Sequence, residues 1–427
     1  MTRRQCDLLI SGAWVIDGTG SERRRADVAI VGERIAGVGD GENWEPKTRI
    51  DAGNGVVAPG FIDAHTHDDR AVLSSPDMTP KISQGVTTVI AGNCGISLAP
   101  LMDRDPPPPL TLLGNREWYR FPSVEHYTAT VEENPPALNI ALLVGHSTLR
   151  VGVMDDLNRP ATAAEIDKMG ALLEGSLEAG CIGMSTGLAY PTANAAPTEE
   201  IVALAEHLAP HGGIYTTHMR NEHDDVVESV KETLEIGRRA DVRVVISHHK
   251  ACGRENWGRT KETLALIEAA RKEQSVNLDV YPYIASSTVL LRKWVEVSER
   301  VIVTWSESHP EVAGHDFADI KQEWGCSTED AIERLLPAGA IYYQMHEDDL
   351  RRVLSFSDAM IGSDGLPHDV FPHPRLWGTF PRVLGHYSRE LGLFPLEEAV
   401  RRMTGVTASV FGLRDRGVIR EGAFADL

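Results

Sequence analysis

From about residue 60 onward, short apolar runs alternate with polar loops and with amphipathic segments of helical period. The apolar runs that predict strands cover residues 61–67, 86–93, 138–145, 181–187, 213–219, 243–249, 276–283 and 359–364. Helix starts lie between them: Thr162 to Glu165 forms a capping box, and Thr198 and Thr260 each begin an apolar-periodic segment. Alternating strands and helices are typical of parallel sheets, and eight such strands predict an α/β fold, the (β/α)8 TIM barrel, over residues 58–410.

The segment between the seventh and eighth predicted strands breaks this rhythm. Residues 286–358 are too many for a plain loop between a strand and a helix. They contain two helical patterns of their own, Phe317 to Gly325 and Thr328 to Leu336, the second with Ser327 as its cap. We therefore expect an inserted lid over the barrel mouth.

The two ends of the chain differ from the barrel region. Residues 1–57 carry short β-type runs separated by glycine-rich turns, which predicts the N-terminal part of a small β domain. Residues 411–427 are expected to return to that domain. The last residues, Glu421 to Leu427, resemble the start of a further strand, so we expect the chain to be truncated there.

Composition narrows the choice of partners. The chain of 427 residues has 42 Lys and Arg against 62 Asp and Glu, a formal net charge of −20. Such a surface repels nucleic acid and anionic membrane, so we expect a small-molecule substrate and neither of those partners. The five cysteines form no CxxC pair, and no signal peptide or membrane span is recognisable, which favours a cytoplasmic protein.

The first predicted strand ends in the motif His65-Thr66-His67. Residues two apart in a strand point the same way, so both imidazoles face one side, as two ligands of one metal require. A pair of surface histidines is the alternative. The position at the carboxyl end of an apolar strand favours the metal site, because barrel enzymes keep their active sites at that end.

Four further predicted strands end in a metal-ligand residue type. These residues are Cys94 after strand two, His218 at strand five, His248 at strand six and Asp364 at strand eight. Taken singly, a buried cysteine is a small hydrophobic residue and a strand histidine is a core residue. Their convergence at one barrel face predicts a metal centre, and a thiolate with imidazoles favours Zn2+ over Mg2+ or Ca2+.

Asp364 is the residue best placed to move protons. A carboxylate beside a metal-activated water can accept its proton and later pass it to a departing amine. We therefore expect Asp364 to act as general base and then general acid. A purely structural ligand would leave that amine without a proton donor.

Basic and phenolic residues near these histidines predict capture of a substrate carboxylate. Lys250, Tyr281 and Arg375 are the main candidates, and Arg220 is a further one, since a guanidinium can bind a carboxylate through two hydrogen bonds. Ion pairing with Glu222 or Asp369 is the alternative. The loop at Leu188 to Tyr190 and the insert are expected to select the substrate side chain, with Arg292 and Lys293 favouring an acidic one.

Taken together, these motifs resemble those of the amidohydrolase superfamily and, within it, of the D-aminoacylase (N-acyl-D-amino-acid deacylase) family. The motifs that carry the resemblance are Val57 to Asp63, Gly85 to Val89, Gly92 to Gly95, Gly145 to Ser147, Ser185 to Gly187, Ser247 to Lys250, Tyr281 to Tyr283 and Gly362 to Asp369. In most of the superfamily a carboxylated lysine on strand four bridges two metals. Strand four here, Cys181 to Gly187, has no lysine, which points to the branch in which a cysteine replaces it.

The resemblance implies a specific arrangement of metals and substrate. It implies one tight zinc site on Cys94, His218 and His248, and a possible second, weaker site on His65, His67 and Asp364. It also implies that Lys250, Tyr281 and Arg375 hold the substrate carboxylate. The two chain ends would form one small β-sandwich domain, and the insert before strand eight would act as a lid.

The expected activity is zinc-dependent hydrolysis of N-acyl-D-amino acids, with chirality taken from the resemblance alone. A cyclic amidohydrolase of the hydantoinase or dihydroorotase type is one alternative, although it would be expected to carry the strand-four lysine. A non-catalytic barrel scaffold is the other. Lost ligands would mark that case, and none is lost in this sequence.

Overall fold

The computed structural model describes residues 3–102 and 104–427. Its strands, in chain order, are β1 (Arg4–Val15), β2 (Arg24–Val31), β3 (Arg34–Gly39), β4 (Trp44–Asp51), β5 (Val56–Val57), β6 (Phe61–Asp63), β7 (Val86–Ala91), β8 (Leu101–Met102), β9 (Arg120–Phe121), β10 (Asn139–Gly145), β11 (Gly183–Gly187), β12 (Ile214–His218), β13 (Arg243–Ile246), β14 (Val276–Val280), β15 (Ala285–Val289), β16 (Arg300–Ser306), β17 (Ala338–Tyr343) and β18 (Met360–Ile361).

The α-helices lie mainly between the barrel strands. They are α1 (Ala71–Ser74), α2 (Thr79–Ile82), α3 (Val124–Glu133), α4 (His146–Val153), α5 (Ala163–Glu178), α6 (Thr198–Ala205), α7 (Val226–Ala240), α8 (Thr260–Ala270), α9 (Arg292–Val297), α10 (Phe317–Trp324), α11 (Thr328–Leu335), α12 (Glu347–Leu354), α13 (Arg375–Arg382), α14 (Leu396–Met403) and α15 (Gly405–Phe411). The capping box of α5 forms as the sequence predicts, with Thr162 and Glu165 bonding each other's backbone. None of the described helices is long and apolar enough to cross a membrane.

Eight parallel strands form the barrel that the sequence predicts. They lie in the order β6, β7, β10, β11, β12, β13, β14 and β18. The first and last strands meet where Thr66 pairs with Gly365 and where the Asp364 amide donates to the His65 carbonyl at 2.8 Å. All residues of β12 and β14 are buried, as expected for strands with a filled barrel on one face and helices on the other.

Six of the eight barrel strands end earlier than the sequence pattern predicts, whereas β10 and β11 end at the predicted residues Gly145 and Gly187. The first predicted strand, for example, reaches residue 67, whereas β6 ends at Asp63. Cys94, His248 and Asp364 have φ angles of 53°, 37° and 49°, a left-handed conformation that no strand can contain. Cys94, His248 and Asp364 therefore lie in tight turns just beyond their strands, whereas His218 is the last residue of β12. The polarity pattern alone does not reveal these turns.

The N-terminal residues form a five-stranded sheet in the order β3, β2, β1, β4, with β5 against β1. The end of the chain contacts this sheet. The Ile35 amide donates to the Ala423 carbonyl at 2.9 Å, and the backbones of Arg34 and Phe424 form an isolated antiparallel β-bridge. Ile419 and Ala423 are buried in the same apolar cluster as the sheet residues. These contacts support the proposal that both chain ends build one small β domain.

The insert between β14 and β18 contains the two predicted helices, α10 and α11, and Ser327 caps α11. It also contains a three-stranded antiparallel sheet in the order β15, β17, β16, which the sequence analysis did not predict. The two outer strands, β15 and β16, both pair with β17, which lies at least 30 residues further along the chain than either of them. Such non-local pairing leaves no helix-like period in the sequence by which it could be found.

A buried ion cluster lies beneath the seam between β6 and β18. Lys81 Nζ donates to Asp63 Oδ2 at 2.8 Å and to Ser363 Oγ at 2.8 Å, and lies 3.3 Å from Asp68 Oδ2. Asp63 in turn accepts the Ser363 amide at 2.7 Å. The lysine side chain is 1% exposed, so these charges compensate one another away from water. The cluster joins the first and last strands directly behind His65 and Asp364.

Replacing Lys81 by methionine tests the contribution of this cluster to stability. Lys81→Met leaves Asp63 and Asp68 buried without their cation, so we expect the free energy of unfolding to fall by about 3–5 kcal/mol. Urea denaturation followed by circular dichroism measures the change. Lys47→Met is the control, because Lys47 pairs with Asp7 on the surface with its side chain 76% exposed, and its loss should leave the free energy of unfolding almost unchanged. Equal losses in the two variants would contradict a role for the cluster at the seam.

Candidate metal centre and active site

Two overlapping groups of metal-ligand side chains lie at the barrel mouth. The first contains Cys94, His218 and His248, and the second contains His65, His67, Asp364 and again Cys94. Within each group the ligand atoms lie within 4.8 Å of one another, and every member is buried. The structure therefore brings together all six side chains that the sequence analysis selected from five strand ends.

Cys94 occupies the centre of both groups. Its Sγ lies 3.2 Å from His65 Nε2 and 3.3 Å from His248 Nε2. Flanking glycines make this approach feasible, because a Cβ on Gly92 would lie 2.0 Å from the Leu143 carbonyl oxygen and one on Gly95 would lie 2.7 Å from the Gly187 amide. Burial alone would raise the pKa of the Cys94 thiol, but His65 and His248 hold that pKa well below its usual range. The side chain is thus a thiolate, the form that binds metal.

The first group fits a zinc ion. Both ring nitrogens of His218 are buried and lack a hydrogen-bond partner among the described residues. Burying a polar atom without a partner is costly, so these nitrogens fit the role of a metal ligand. His248 Nδ1 faces Lys250 Nζ at 2.7 Å and Glu222 Oε1 at 3.1 Å, so its Nε2 is the nitrogen directed toward Cys94. One sulfur and two imidazole nitrogens match three positions of a tetrahedral zinc site and leave the fourth open.

One member of the second group, the Asp364 carboxylate, also forms a salt bridge. Asp364 Oδ1 lies 3.1 Å from His67 Nε2 and 3.6 Å from His65 Nε2, while its Oδ2 lies 2.8 Å from Arg375 Nη1. Burial would raise the pKa of Asp364, but Arg375 and then His65 hold it well below its usual range. The carboxylate is therefore ionised and has one oxygen facing the histidines.

The predicted carboxylate-binding residues line the same cleft. The Tyr281 hydroxyl is buried and has no partner among the described residues, and burial raises its pKa, so it retains its proton and is a hydrogen-bond donor. The Arg375 guanidinium carbon lies 4.7 Å from the Tyr281 ring centroid, and Lys250 Nζ lies 5.7 Å from it. The phenol therefore stands between two cations.

Both cations already have acidic partners. Lys250 Nζ donates to Glu222 Oε1 at 2.7 Å, as the ion-pair alternative anticipated for Glu222, and Arg375 pairs with Asp364. Arg220, the further candidate, instead pairs with Glu232 at 2.8 Å. This pairing explains how Lys250 and Arg375 remain charged in a buried site.

The sequence analysis missed two acidic residues that orient the ligands. Glu222, considered only as an ion-pair partner, lies beside His248, Lys250 and His218, with its Oε2 3.6 Å from His218 Nε2. Asp279, at the penultimate position of β14, accepts the His248 amide at 2.9 Å and faces His65 Nδ1 at 3.4 Å. An acid inside the otherwise apolar strand end Leu278 to Val280 was a signal that could have identified Asp279.

The insert covers this cleft. Ser287 and Trp294 from the insert line it together with His67, His218 and Asp364; we call this space the inner cleft. A cavity of about 490 Å3, here the side cavity, adjoins it and shares His218, Glu222 and Trp294 with it.

Of the residues expected to select the substrate side chain, Ala189 and Lys293 line the side cavity and Tyr190 lines the inner cleft. Tyr190 is buried with its ring centroid 4.9 Å from that of His218, and the Ala189 carbonyl accepts a hydrogen bond from Lys293 at 2.9 Å. Arg292 instead pairs with Glu296 and Glu329, each at 2.7 Å, on the exposed face of α9. Lys293 thus lines the cavity, whereas Arg292 does not.

Comparison with known sequences identifies relatives along the whole chain. A model of the amidohydrolase family matches residues 48–300 and 328–427. The D-aminoacylase of Alcaligenes xylosoxydans xylosoxydans is 55% identical over 421 residues, covering 99% of this chain and 87% of the relative. The N-acyl-D-aspartate deacylase of the same organism is 49% identical over 424 residues, covering 99% of this chain and 85% of the relative.

Solved structures agree with the sequence relatives. A structure of D-aminoacylase that concerns its binuclear metal centre has a TM-score of 0.96 at 55% identity, covering 98% of this chain and 89% of that one. N-acyl-D-glutamate deacylase from Bordetella bronchiseptica, complexed with zinc and a phosphonate inhibitor, has a TM-score of 0.95 at 46% identity, covering 99% of this chain and 89% of that one. On this sequence and structural similarity, the chain belongs to the amidohydrolase family, in its D-aminoacylase branch.

Proposed function

We propose that this protein hydrolyses the amide bond of N-acyl-D-amino acids, releasing a carboxylate and a free D-amino acid, in a zinc-dependent reaction. The observation that carries the proposal is the buried group of Cys94, His218 and His248 next to the ionised carboxylate of Asp364. The relatives support the class of reaction, because they are named for deacylation of N-acyl-D-amino acids, which are linear amides. They also support the metal, since one relative was solved with zinc.

In this proposal Cys94, His218 and His248 hold one zinc tightly, and His65, His67 and Asp364 form a weaker second site. A zinc ion held there would polarise the scissile carbonyl and activate a water molecule at neutral pH. Glu222 and Asp279 keep the imidazoles in the required tautomer and orientation through their contacts with His248 and His65.

Asp364 moves the proton. Its carboxylate is ionised at neutral pH, so it can accept the proton of the attacking water. The amine leaves only when it gains a proton, and the same carboxyl group returns the one it has taken. Arg375 holds Asp364 through Oδ2, which leaves Oδ1 directed toward the reacting side of the cleft.

The substrate carboxylate is held by Lys250, Tyr281 and Arg375. Tyr281 supplies an unpartnered hydroxyl donor, and the two cations offset the negative charge in a chain that is strongly acidic overall. An amino acid anchored at its carboxylate and at its amide has one remaining direction for its side chain. The enantiomer whose side chain points into the side cavity is accepted, and the one whose side chain points into the cleft wall is rejected.

The two alternative functions receive less support. A cyclic amidohydrolase would be expected to carry a lysine on the fourth barrel strand, whereas β11 reads Gly-Met-Ser-Thr-Gly. A non-catalytic scaffold would be expected to have lost ligands, whereas all six are present and buried.

One assay separates these functions. We expect the zinc-loaded protein to hydrolyse an N-acetyl-D-amino acid at least about 100-fold faster than its L-enantiomer, because only one hand fits both anchors and the side cavity. Released amino acid and bound zinc are measured on the same sample, and hydantoin is offered in parallel. Hydrolysis of hydantoin alone, or of neither substrate by a zinc-loaded sample, would reject the proposal.

Asp364→Asn tests the proton shuttle. The amide keeps the size of the side chain but cannot accept a proton at neutral pH, so kcat should fall by at least about 100-fold. Zinc content, measured by elemental analysis, should persist because Cys94, His218 and His248 are unchanged. Asp358→Asn is the control, since Asp358 pairs with Arg401 on another part of the surface. Wild-type turnover in Asp364→Asn would remove the assignment of Asp364 as base.

Cys94→Ala tests the tight metal site. Loss of the only sulfur ligand should abolish tight zinc binding and, with it, most activity. Elemental analysis after dialysis against a weak chelator measures the zinc that remains. Cys181→Ala provides the matched control, because Cys181 is also buried but belongs to neither ligand group. Full zinc content in Cys94→Ala would exclude this cysteine as a ligand.

A further inference from the structure

A second large cavity lies at the barrel mouth, on the side away from the side cavity. Its volume is about 630 Å3, and its lining includes Arg70, Leu112, Trp118, Trp305 and His368; we call it the outer cavity. These residues come from the loops after β6, β7 and β18 and from strand β16 of the insert. The outer cavity therefore borders the strands that carry His67 and Asp364.

Arg70 in this cavity forms no salt bridge with any acid among residues 3–102 and 104–427. Its Nε is buried without a hydrogen-bond partner among the described residues, and its guanidinium carbon lies 4.5 Å from the Trp118 ring centroid. Burial is the only cause that shifts its pKa, downward, with no acid raising it. Three other arginines near the mouth that are less exposed do have a carboxylate: Arg150 has Glu200, Arg220 has Glu232 and Arg375 has Asp364. Arg116 also lines the outer cavity, but its side chain is exposed to solvent. A half-buried arginine that no acid in the described part of the chain neutralises is available to an external anion.

The surroundings hold the guanidinium in place. A Cβ on Gly114 would lie 2.7 Å from Trp118 Cδ1 and 3.2 Å from Arg70 Nη1, so the absence of a side chain there permits the stacked pair. His368 lies near Arg70, and its Nε2 is buried without a partner among the described residues. Burial, and then Arg70, lower the pKa of His368 to about 4, so its imidazole is neutral and can donate a hydrogen bond.

The acidic residues that line the outer cavity in the described part of the chain do not occupy this position. Asp105, Glu117 and Glu307 lie at its exposed rim. Asp369 lies deeper, and burial raises its pKa to about 7, so it is partly protonated at neutral pH. Arg70 is thus the principal charge at the inner end of the cavity.

The outer cavity adjoins the inner cleft through one side chain. Leu112 lines both spaces, Arg70 follows His67 by three residues, and His368 follows Asp364 by four. Lys250 and Tyr281 stand on the opposite side of the barrel, after β13 and β14. If a substrate's carboxylate lay at Lys250 and Tyr281 and its amide at the ligand groups, its acyl arm would point toward Leu112 and Arg70.

We propose that Arg70, assisted by His368, binds a carboxylate at the far end of the substrate's acyl group. The protein then favours acyl groups derived from short dicarboxylic acids, succinyl or glutaryl, over acetyl. The inference rests on the proposed function and adds the class of acyl donor to it. The reaction is unchanged in its balance: water adds across the amide bond, and the products are the dicarboxylate and the free amino acid.

The test compares N-succinyl-D-leucine with N-acetyl-D-leucine. In the wild type kcat/KM should be higher for the succinyl compound, and Arg70→Met should lower the succinyl-to-acetyl ratio by about 10- to 100-fold, as expected for loss of a charge-assisted hydrogen bond. Arg70→Lys should give an intermediate ratio, since it keeps the charge but loses the planar fork. Arg120→Met is the matched control: Arg120 lies 5.9 Å from the same Trp118 ring but is exposed and outside the cavity lining, so the wild-type ratio should persist.

Other outcomes would overturn the inference. A wild type that prefers the acetyl compound, or a succinyl preference that survives Arg70→Met, would reject the role of Arg70. Free succinate is tested as a competitive inhibitor. Succinate could inhibit in a manner that depends on Arg70 while the enzyme shows no preference for the succinyl substrate. That result would assign Arg70 to binding of the released acid and would also reject the proposal.

A binding measurement separates this inference from the proposed function. Isothermal titration of both leucine derivatives into Asp364→Asn, and into the same protein carrying Arg70→Met, reports affinity without turnover. Tighter binding of the succinyl compound that is lost with Arg70 would support the inference even if no hydrolysis occurred, in which case the proposed function alone would fail. If the succinyl compound bound the two proteins with equal affinity, this inference would be rejected and the proposed function would not be affected.

Discussion

The closure of the barrel between its first and last strands is the constraint on which the active site depends. His65 and His67 follow β6, and Asp364 follows β18, so these three side chains meet only if the two strands are held together. Few backbone bonds serve this seam, because both strands are short. The buried charges of Lys81 and Asp63 fix the seam from behind. A network that costs desolvation energy thereby gives the metal-ligand residues a single arrangement.

Buried charge is balanced locally around the mouth. The Cys94 thiolate, Asp364 and Glu222 are negative, and each faces an imidazole or a cation within hydrogen-bonding distance or close to it. Lys250 and Arg375 therefore have two functions in this proposal: they stabilise acidic residues of the site and they attract a substrate carboxylate. A substrate that competes for these cations would alter the hydrogen bonding of Glu222 and Asp364, which links carboxylate binding to the position of the proton shuttle.

Two cavities flank the inner cleft, and they suit the two arms of an acylated amino acid. The side cavity shares His218 and Trp294 with the cleft, and the outer cavity shares Leu112 with it. The insert contributes walls to all three spaces, so the segment that covers the site also shapes what can enter it. The relatives are named for different acyl amino acids. In the proposed function the chemistry depends on the strand ends and selection depends on the loops and the insert, which accounts for such differences within one fold.

The sequence by itself determined the barrel, its eight strands and the six ligand candidates. Apolar strands recur in a recognisable alternation with helices, and the ligand candidates are His, Cys and Asp residues at the ends of those strands. The antiparallel sheet of the insert was decided by tertiary structure, since its strands pair across long separations. The left-handed turns at Cys94 and His248 were decided there too, because only packing overcomes their steric cost. Tertiary structure also decided that no acid among residues 3–102 and 104–427 pairs with Arg70. A charge pattern shows how many acids a chain has, but only the fold shows which bases they reach.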